Sequence, residues 1–514
     1  MRAHCLGLLT LSATLSAQTP PPRHYAPPAF SESQRRQQVE AVQPEIDALF
    51  DELVAKEHLP GLVYGIVLDG ELVHARTLGL ADVERKVATA RDTRFRIASM
   101  TKSFVCLAAL QLRDAGKLDL DDPVQKHVPE FARVQLPTSD APPITVEHLM
   151  TMTTGLPEDN PWGDRQMAIS GEALEQFVGG GLSFSNPPGQ TFEYSNLGYV
   201  LLGKVIAKVA GVRFQDYITE HILRPLGMRD TVWEYDQVPA GKFALGYRWE
   251  HGGWQLEPIL HDGEGAAMGG LITTLDDDAR YLAFHLAAWP SRDGEDRGPV
   301  RRATVREMHL PRIFSGASPK ATLLDGKTPN PSVSFYGYGL GWNRDSRGVV
   351  KVSHSGGLPG YGSIHRFCPD HGVGILAFSN LRYGPVYDAS GRALNILLER
   401  GGLRPRTTAV SAVLAQRRDQ VVTMIQSWDA KLVAAITADN FLLDRSLADW
   451  TELAKQRFAA IGAVTAVGPM QPDNQLRGTF EITGDKGRLR VSFTLSPEQE
   501  PKVQDLSLVL APPK

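Results

Sequence analysis

Strand-forming segments bracket a long helical middle in this chain, and that order constrains the fold more than any other feature. Near the first end, Leu62–Leu68 and Leu72–Leu78 flank Asp69-Gly70. Asp-Gly tolerates the positive φ that a two-residue hairpin turn demands. Near the other end, Ser334–Trp342, Val349–Ser353, Gly362–Phe367 and Val373–Ser379 read as strands, and Val386–Glu399 as a helix stopped by Gly401 and Gly402. Ahead of the hairpin, Val42, Ile46, Leu49, Phe50 and Leu53 recur at helical spacing over Val39–Lys56, until Pro60 and Gly61 end it. This pattern predicts an α+β fold, an antiparallel sheet flanked by helices and interrupted by a helical insertion.

The insertion, from about residue 95 to 280, carries its own punctuation. Phe104–Leu112 is apolar nearly all round, which predicts a buried helix. Thr145 caps Val146–Met152, and Gly155 ends that helix. Tyr199–Ala210 is stopped by Gly211, and Thr274 with Asp277 resembles a capping box opening a helix through Phe284. After a linker at Arg404–Ala409, Val410–Phe441 and Ser446–Ile461 read as helices, then Leu476–Ile482, Arg488–Leu495 and Val503–Leu510 as strands. Leu489, Val491, Phe493 and Leu495 alternate with polar residues, the mark of a half-buried strand. The expected division is a leader over 1–17, a Pro-rich linker over 18–38, a main domain over 39–403 and a small α+β domain over 404–514.

The leader rests on a basic start at Arg2 and His4, an apolar run over Leu6–Leu15, and the small residues Ser16 and Ala17. That is the pattern of a secretory signal peptide, too short to span a bilayer, and it predicts export to the periplasm or medium with no membrane-spanning segment after cleavage. A net charge of −4 and a pI near 6.4 give no electrostatic case for a nucleic-acid partner. Of the three cysteines, Cys5 leaves with the leader. Cys106 and Cys368 sit in apolar runs and read as buried free thiols, with a disulfide between them as the alternative in an oxidising compartment. No metal-ligand spacing is legible, and no cofactor is implied.

The chemistry centres on Ser99-Met100-Thr101-Lys102, which opens the apolar helix. Three residues apart on a helix is one face, so the Lys102 amine can reach the Ser99 hydroxyl. A hydroxyl needs a base nearby to become a nucleophile, and burial can make lysine that base. Ser99 alone reads equally well as a helix cap. Tyr194-Ser195-Asn196 follows a Pro-Pro-Gly turn: Tyr194 can serve as a base if cations hold its phenol down, and Asn196 can offer its amide to substrate or to Lys102. His354-Ser355-Gly356-Gly357 ends the strand Val349–Ser353, with the Gly357 N–H as a second oxyanion donor beside that of Ser99, and with glycines that let a substrate approach the backbone.

In this order, the three elements resemble the Ser-x-x-Lys, Tyr-x-Asn and Lys/His-x-Gly signature of the serine β-lactamase and penicillin-binding-protein superfamily. The likeness is to class C β-lactamases and their esterase and D-aminopeptidase relatives. Stretches such as "RFRIASMTKSF", "PPGQTFEYSNLGYVLLGKVI" and "HSGGLPGYGS" carry it over roughly Val39–Glu399. The resemblance implies Ser99 as acylated nucleophile, Lys102 and Tyr194 sharing its proton, Asn196 orienting substrate, and Ser99 and Gly357 N–H groups forming the oxyanion hole. His354 stands where class C β-lactamases carry lysine, which weakens the case for a substrate carboxylate. Met152 stands where many relatives have histidine. A serine hydrolase of small esters is the first expectation, acting on a small-molecule substrate. A D-amino-acid peptidase or β-lactam-reactive enzyme is the second, and an inactive scaffold the third. The C-terminal region resembles the small cystatin-like domains appended to such hydrolases, and implies a packing or substrate-covering role.

Overall fold

The computed structural model describes residues 25–512, so the expected leader, Cys5 included, lies outside the described residues. Among the described residues, contacts divide the chain into one unit of Phe30–Arg406 and another of residues 25–29 with residues 407–512.

In the larger unit, helix α1 (Arg35–Lys56) begins four residues before the expected start, inside the stretch read as linker. The hairpin follows as β1 (Gly61–Leu68) and β2 (Glu71–Asp82), and Asp69 and Gly70 both adopt positive φ, 52° and 90°. A short β3 (Val87–Ala88) flanks β2. The later strands are β4 (Ile313–Ser318), β5 (Ser332–Tyr336), β6 (Gly341–Asp345), β7 (Val350–Leu358), β8 (Tyr361–Cys368) and β9 (Val373–Ser379). They close with the hairpin into one antiparallel sheet of nine strands, ordered β3-β2-β1-β9-β8-β7-β6-β5-β4. Pairing of β1 with β9, Leu62 opposite Ser379 and Leu68 opposite Val373, joins the two ends of the chain segment.

Both faces of the sheet are covered, which is why its central strands are apolar on both sides. Along β1, Leu62, Tyr64, Ile66 and Leu68 enter the core beneath α1 and α6 (Val386–Glu399). Val63 and Val67 enter the other core, with α2 (Thr101–Asp114), α4 (Asn196–Ala210) and α5 (Leu275–Ala287). Cys106 lies in that second core and Cys368 in the first, so the sheet separates them, and both are free.

Several local expectations change. The Tyr/Gly alternation of Ser334–Trp342 is two strands, β5 and β6, joined by a turn. Gly339 there has φ 68°, and a Cβ on it would sit 2.7 Å from the Lys102 carbonyl. Within residues 311–334, Ile313–Ser318 and the start of Ser332–Tyr336 are strand, and the residues between are turns and irregular loop. Helix α3 (Val146–Met150) is two residues shorter than expected, with a capping box between Thr145 and His148. The Thr274 hydroxyl accepts from Asp277 N, but the Asp277 carboxylate takes bonds from Asp230 N and the Thr231 hydroxyl instead of completing a box.

In the other unit, the region read as helix over Val410–Phe441 holds two, α7 (Ala412–Ser427) and α8 (Ala430–Ile436), and α9 (Phe441–Asp444) starts at its last residue. The break is at Trp428, whose φ of 49° is left-handed. Helix α10 (Leu447–Ile461) then packs on a five-stranded antiparallel sheet of β10 (Val464–Val467), β11 (Gln471–Asn474), β12 (Arg477–Gly484), β13 (Arg488–Leu495) and β14 (Val503–Leu510). The segment before α1 is tied to this unit: Ala29 bridges Thr407, and Ala26 exchanges two hydrogen bonds with the Gln475 amide.

Candidate active site

Ser99 sits one turn ahead of the helix it was expected to open. It occupies a 3₁₀ turn, Ala98–Met100, that runs into α2, and its hydroxyl caps nothing. The turn is held in an unfavourable shape. Ala98 has φ 49°, a left-handed conformation that costs a non-glycine residue free energy and persists only when neighbours enforce it. They do so here: Ile97 N donates to Leu271 O at 3.0 Å, the Ser363 hydroxyl donates to Ile97 O at 2.7 Å, and Leu271 N donates to the Thr101 hydroxyl at 3.2 Å.

Lys102 is wholly buried, and its Nζ has three partners: Ser99 Oγ at 2.9 Å, Asn196 Oδ1 at 2.7 Å and Met268 O at 2.6 Å. Two of these are carbonyl oxygens, which can only accept. A neutral amine has two N–H groups and one lone pair. Both N–H groups are therefore committed to Asn196 and Met268, and the lone pair is left facing the Ser99 hydroxyl. Burial pulls Lys102 down to about 7, against the opposing pull of Asp164 and Asp159, so the neutral form is within reach.

Asn196 is bonded within the protein through both its amide oxygen and its amide nitrogen. Its Nδ2 donates to Asn160 Oδ1 at 3.0 Å, and Asp159 accepts from Asn196 N at 2.6 Å and Leu197 N at 2.9 Å, at the start of α4. Of the two uses expected for its amide, the one toward Lys102 is present. Tyr194 interacts with the Ser99 hydroxyl, and Lys102 Nζ lies 5.0 Å from its ring centroid. Contrary to expectation, no cation holds its phenol down: burial pushes it well up, Asp164, Asp159 and Glu158 add to the rise, and only the Ser99 bond opposes it. Tyr194 therefore keeps its proton.

His354 does not join this cluster. Strand β7 runs through it to Leu358 instead of ending at Ser353, and both ring nitrogens are taken. Nδ1 lies 2.6 Å from Ser355 O, so it carries the proton, and Nε2 accepts from the Tyr336 hydroxyl at 3.0 Å. Burial, then the charge on Lys102, lowers it to about 3. It meets the site only as a ring 6.3 Å from that of Tyr194. The two glycines also serve the protein more than a ligand. A Cβ on Gly356 would lie 2.2 Å from Ile97 O, in the Ser99 turn, and one on Gly357 would lie 2.7 Å from the Tyr383 ring. The edge of β7 toward β6 loses its neighbour after Ser353, because β6 pairs only along Val350–Ser353. Backbone groups along His354–Leu358 on that side are left without a strand partner.

Several residues here carried no sequence signal. Asp159, Asp164, Tyr383 and the Met268 carbonyl belong to no spacing pattern. Met152, in the position where histidine was expected, is left-handed at φ 59°. It holds the Tyr194 segment through Ser195 N to its sulfur at 3.4 Å and Glu193 N to its carbonyl at 2.9 Å. A cavity of about 390 Å³ is lined among others by Leu156, Trp162, Phe177 and Leu182, and by Asp159, Ser195 and Leu197. Among the described residues, no group of His, Cys, Asp or Glu is arranged to hold a metal ion, and no helix is long and apolar enough to cross a membrane.

Comparison with known proteins places this site in a family. A family model described as Beta-lactamase matches residues 46–399. "Protein flp" of Staphylococcus aureus (strain MW2) is 28% identical over 408 residues, covering 75% of this chain and 72% of that protein. "Beta-lactamase-like protein 2" of Dictyostelium discoideum is 30% identical over 362 residues, covering 69% of this chain and 62% of that one. The solved structure of the octameric penicillin-binding protein homologue from Pyrococcus abyssi superposes with a TM-score of 0.59 at 24% identity, over 91% of this chain and 98% of that one, and shares the fold. The chain belongs to the beta-lactamase family, within the superfamily of serine hydrolases that also holds the penicillin-binding proteins.

Proposed function

We propose that this protein hydrolyses small esters through an acyl-enzyme on Ser99. The observation that carries the reading is the set of three contacts to Lys102 Nζ, two of them carbonyl oxygens and the third Ser99 Oγ, so that the neutral amine spends both N–H groups on the carbonyls and turns its lone pair to Ser99. The Ser99 oxygen forms a bond to the substrate carbonyl carbon as its proton passes to Lys102. The carbonyl oxygen gains negative charge, which the N–H groups of Ser99 and Gly357 receive. The C–O bond to the alcohol breaks, and that alcohol leaves with a proton from Tyr194, which Lys102 replenishes. Water then repeats the sequence against the acyl-enzyme, releases the acid and restores Ser99.

The chemistry around His354 supports esters over β-lactams and carboxylate-ended peptides. A buried, neutral imidazole with both nitrogens occupied offers no charge to a substrate carboxylate. The experiment is intact-mass detection of an acyl adduct with p-nitrophenyl butyrate, mapped to Ser99. Loss of adduct and turnover in Ser99→Ala is the expected result, and full hydrolysis by Ser99→Ala would refute the assignment. The apolar run over Leu6–Leu15 further supports an exported enzyme, which N-terminal sequencing of the protein from culture medium or periplasm tests.

A further inference from the structure

We propose that Asp164, hydrogen-bonded to the Tyr383 that packs on Gly357, recognises a protonated amine on the substrate, so that the preferred substrates are amino-acyl esters. This rests on the hydrolase reading above and names the substrate class of that same site.

Asp164 is 3% exposed, and among the described residues only one of its carboxylate oxygens has a side-chain partner. Oδ2 accepts from the Tyr383 hydroxyl at 2.8 Å, and Oδ1 has none. Oδ1 keeps a little solvent contact, so it is an acceptor that a ligand can reach. Its position ties it to the reacting centre. The Tyr383 ring lies against Gly357, whose N–H is assigned to the oxyanion, and the carboxylate acts electrostatically on both Lys102 and Tyr194. Asp159 and Glu158 add negative charge from the same segment. The cations facing this group are Lys102, which the reaction needs neutral, and the exposed Arg165. His354 supplies none. A substrate carboxylate therefore meets Asp164, Asp159 and Glu158, with the exposed Arg165 as the cation set against them. An ammonium meets an unfilled acceptor, and such charge-assisted bonds are the strong ones.

The competing role for Asp164 is to tune Lys102 alone, and the test separates the two. Alanine ethyl ester and ethyl propionate differ by one amino group. At pH 7 that amine is held protonated, since α-amino groups titrate at about 7.7–8.0. The wild-type kcat/KM for alanine ethyl ester is expected to exceed that for ethyl propionate by about tenfold or more, the gain of one charge-assisted bond. N-acetylalanine ethyl ester should lose this advantage, and monoethyl succinate should be the poorest substrate. In Asp164→Asn the ratio of amino ester to propionate falls to within about threefold, whatever loss the two share. A wild-type ratio near one, or a parallel loss in Asp164→Asn with the ratio intact, overturns the proposal. The wild-type comparison stands if the variant does not fold. If no ester acylates Ser99, the hydrolase reading fails by itself. Recognition is then read as calorimetric binding of alaninamide to Ser99→Ala, expected there and absent in Ser99→Ala/Asp164→Asn. No heat with Ser99→Ala overturns it.

Discussion

Adding a single methyl group at Gly356 should disable the site without unfolding the protein. The Cβ of Gly356→Ala would lie 2.2 Å from Ile97 O, 2.3 Å from Ser363 Oγ and 2.9 Å from Ala98 Cβ. Ordinary carbon–oxygen contact is about 3.3 Å, so the Ile97–Ala98 backbone must move by roughly 1 Å. That backbone precedes Ser99 directly, and Ala98 is already in a left-handed conformation with no slack to take up the shift. Misplacing a reacting group by about 1 Å costs on the order of 10²-fold in rate. Overpacking of this kind costs about 1–3 kcal/mol of stability, and for a unit of several hundred residues the melting temperature falls only a few degrees. Gly357→Ala is the comparison. Its methyl would meet the Tyr383 ring at 2.7 Å, a side chain that can rotate away, so its loss should be about tenfold or less. The assay is kcat/KM for p-nitrophenyl acetate beside a thermal melt. If Gly356→Ala stays within about threefold of wild type, or is no worse than Gly357→Ala, the packing argument is wrong.

Three further outcomes are expected. Acylation should rise with pH as Lys102 loses its proton, since its folded-state value is lowered to about 7; the base is present above that point and lost below it. Rates flat from acid to alkaline pH, or a Lys102→Ala variant near wild-type activity, would move the base elsewhere. His354→Ala should cost stability by about 1–3 kcal/mol, because the Tyr336 hydroxyl loses its acceptor, yet reduce kcat/KM far less than Lys102→Ala. An equal loss in both would make His354 part of the reaction. Reductant should leave the melting temperature unchanged, since Cys106 and Cys368 lie in cores on opposite sides of the sheet; a drop on adding dithiothreitol would show a bond between them.

What the amino-acid order determined by itself is local. The Asp69-Gly70 turn, the strand Val373–Ser379, the helix Val386–Glu399 and the strands Arg488–Leu495 and Val503–Leu510 follow from φ preference and period, properties of neighbouring residues. So does the placing of Ser99 and Lys102 three residues apart, and the order of the three motifs was enough to suggest the family. Tertiary structure alone decided what each motif touches. Only the approach of the Met268 carbonyl and the Asn196 amide aims the Lys102 lone pair, and only burial sets its charge. Only the Tyr336 hydroxyl turns His354 from a group beside substrate into a strand residue already satisfied. Asp159, Asp164 and Tyr383 had no pattern to announce them, because their partners come from distant segments, and charge and hydrogen bonding depend on distance in space, which spacing along a chain does not encode.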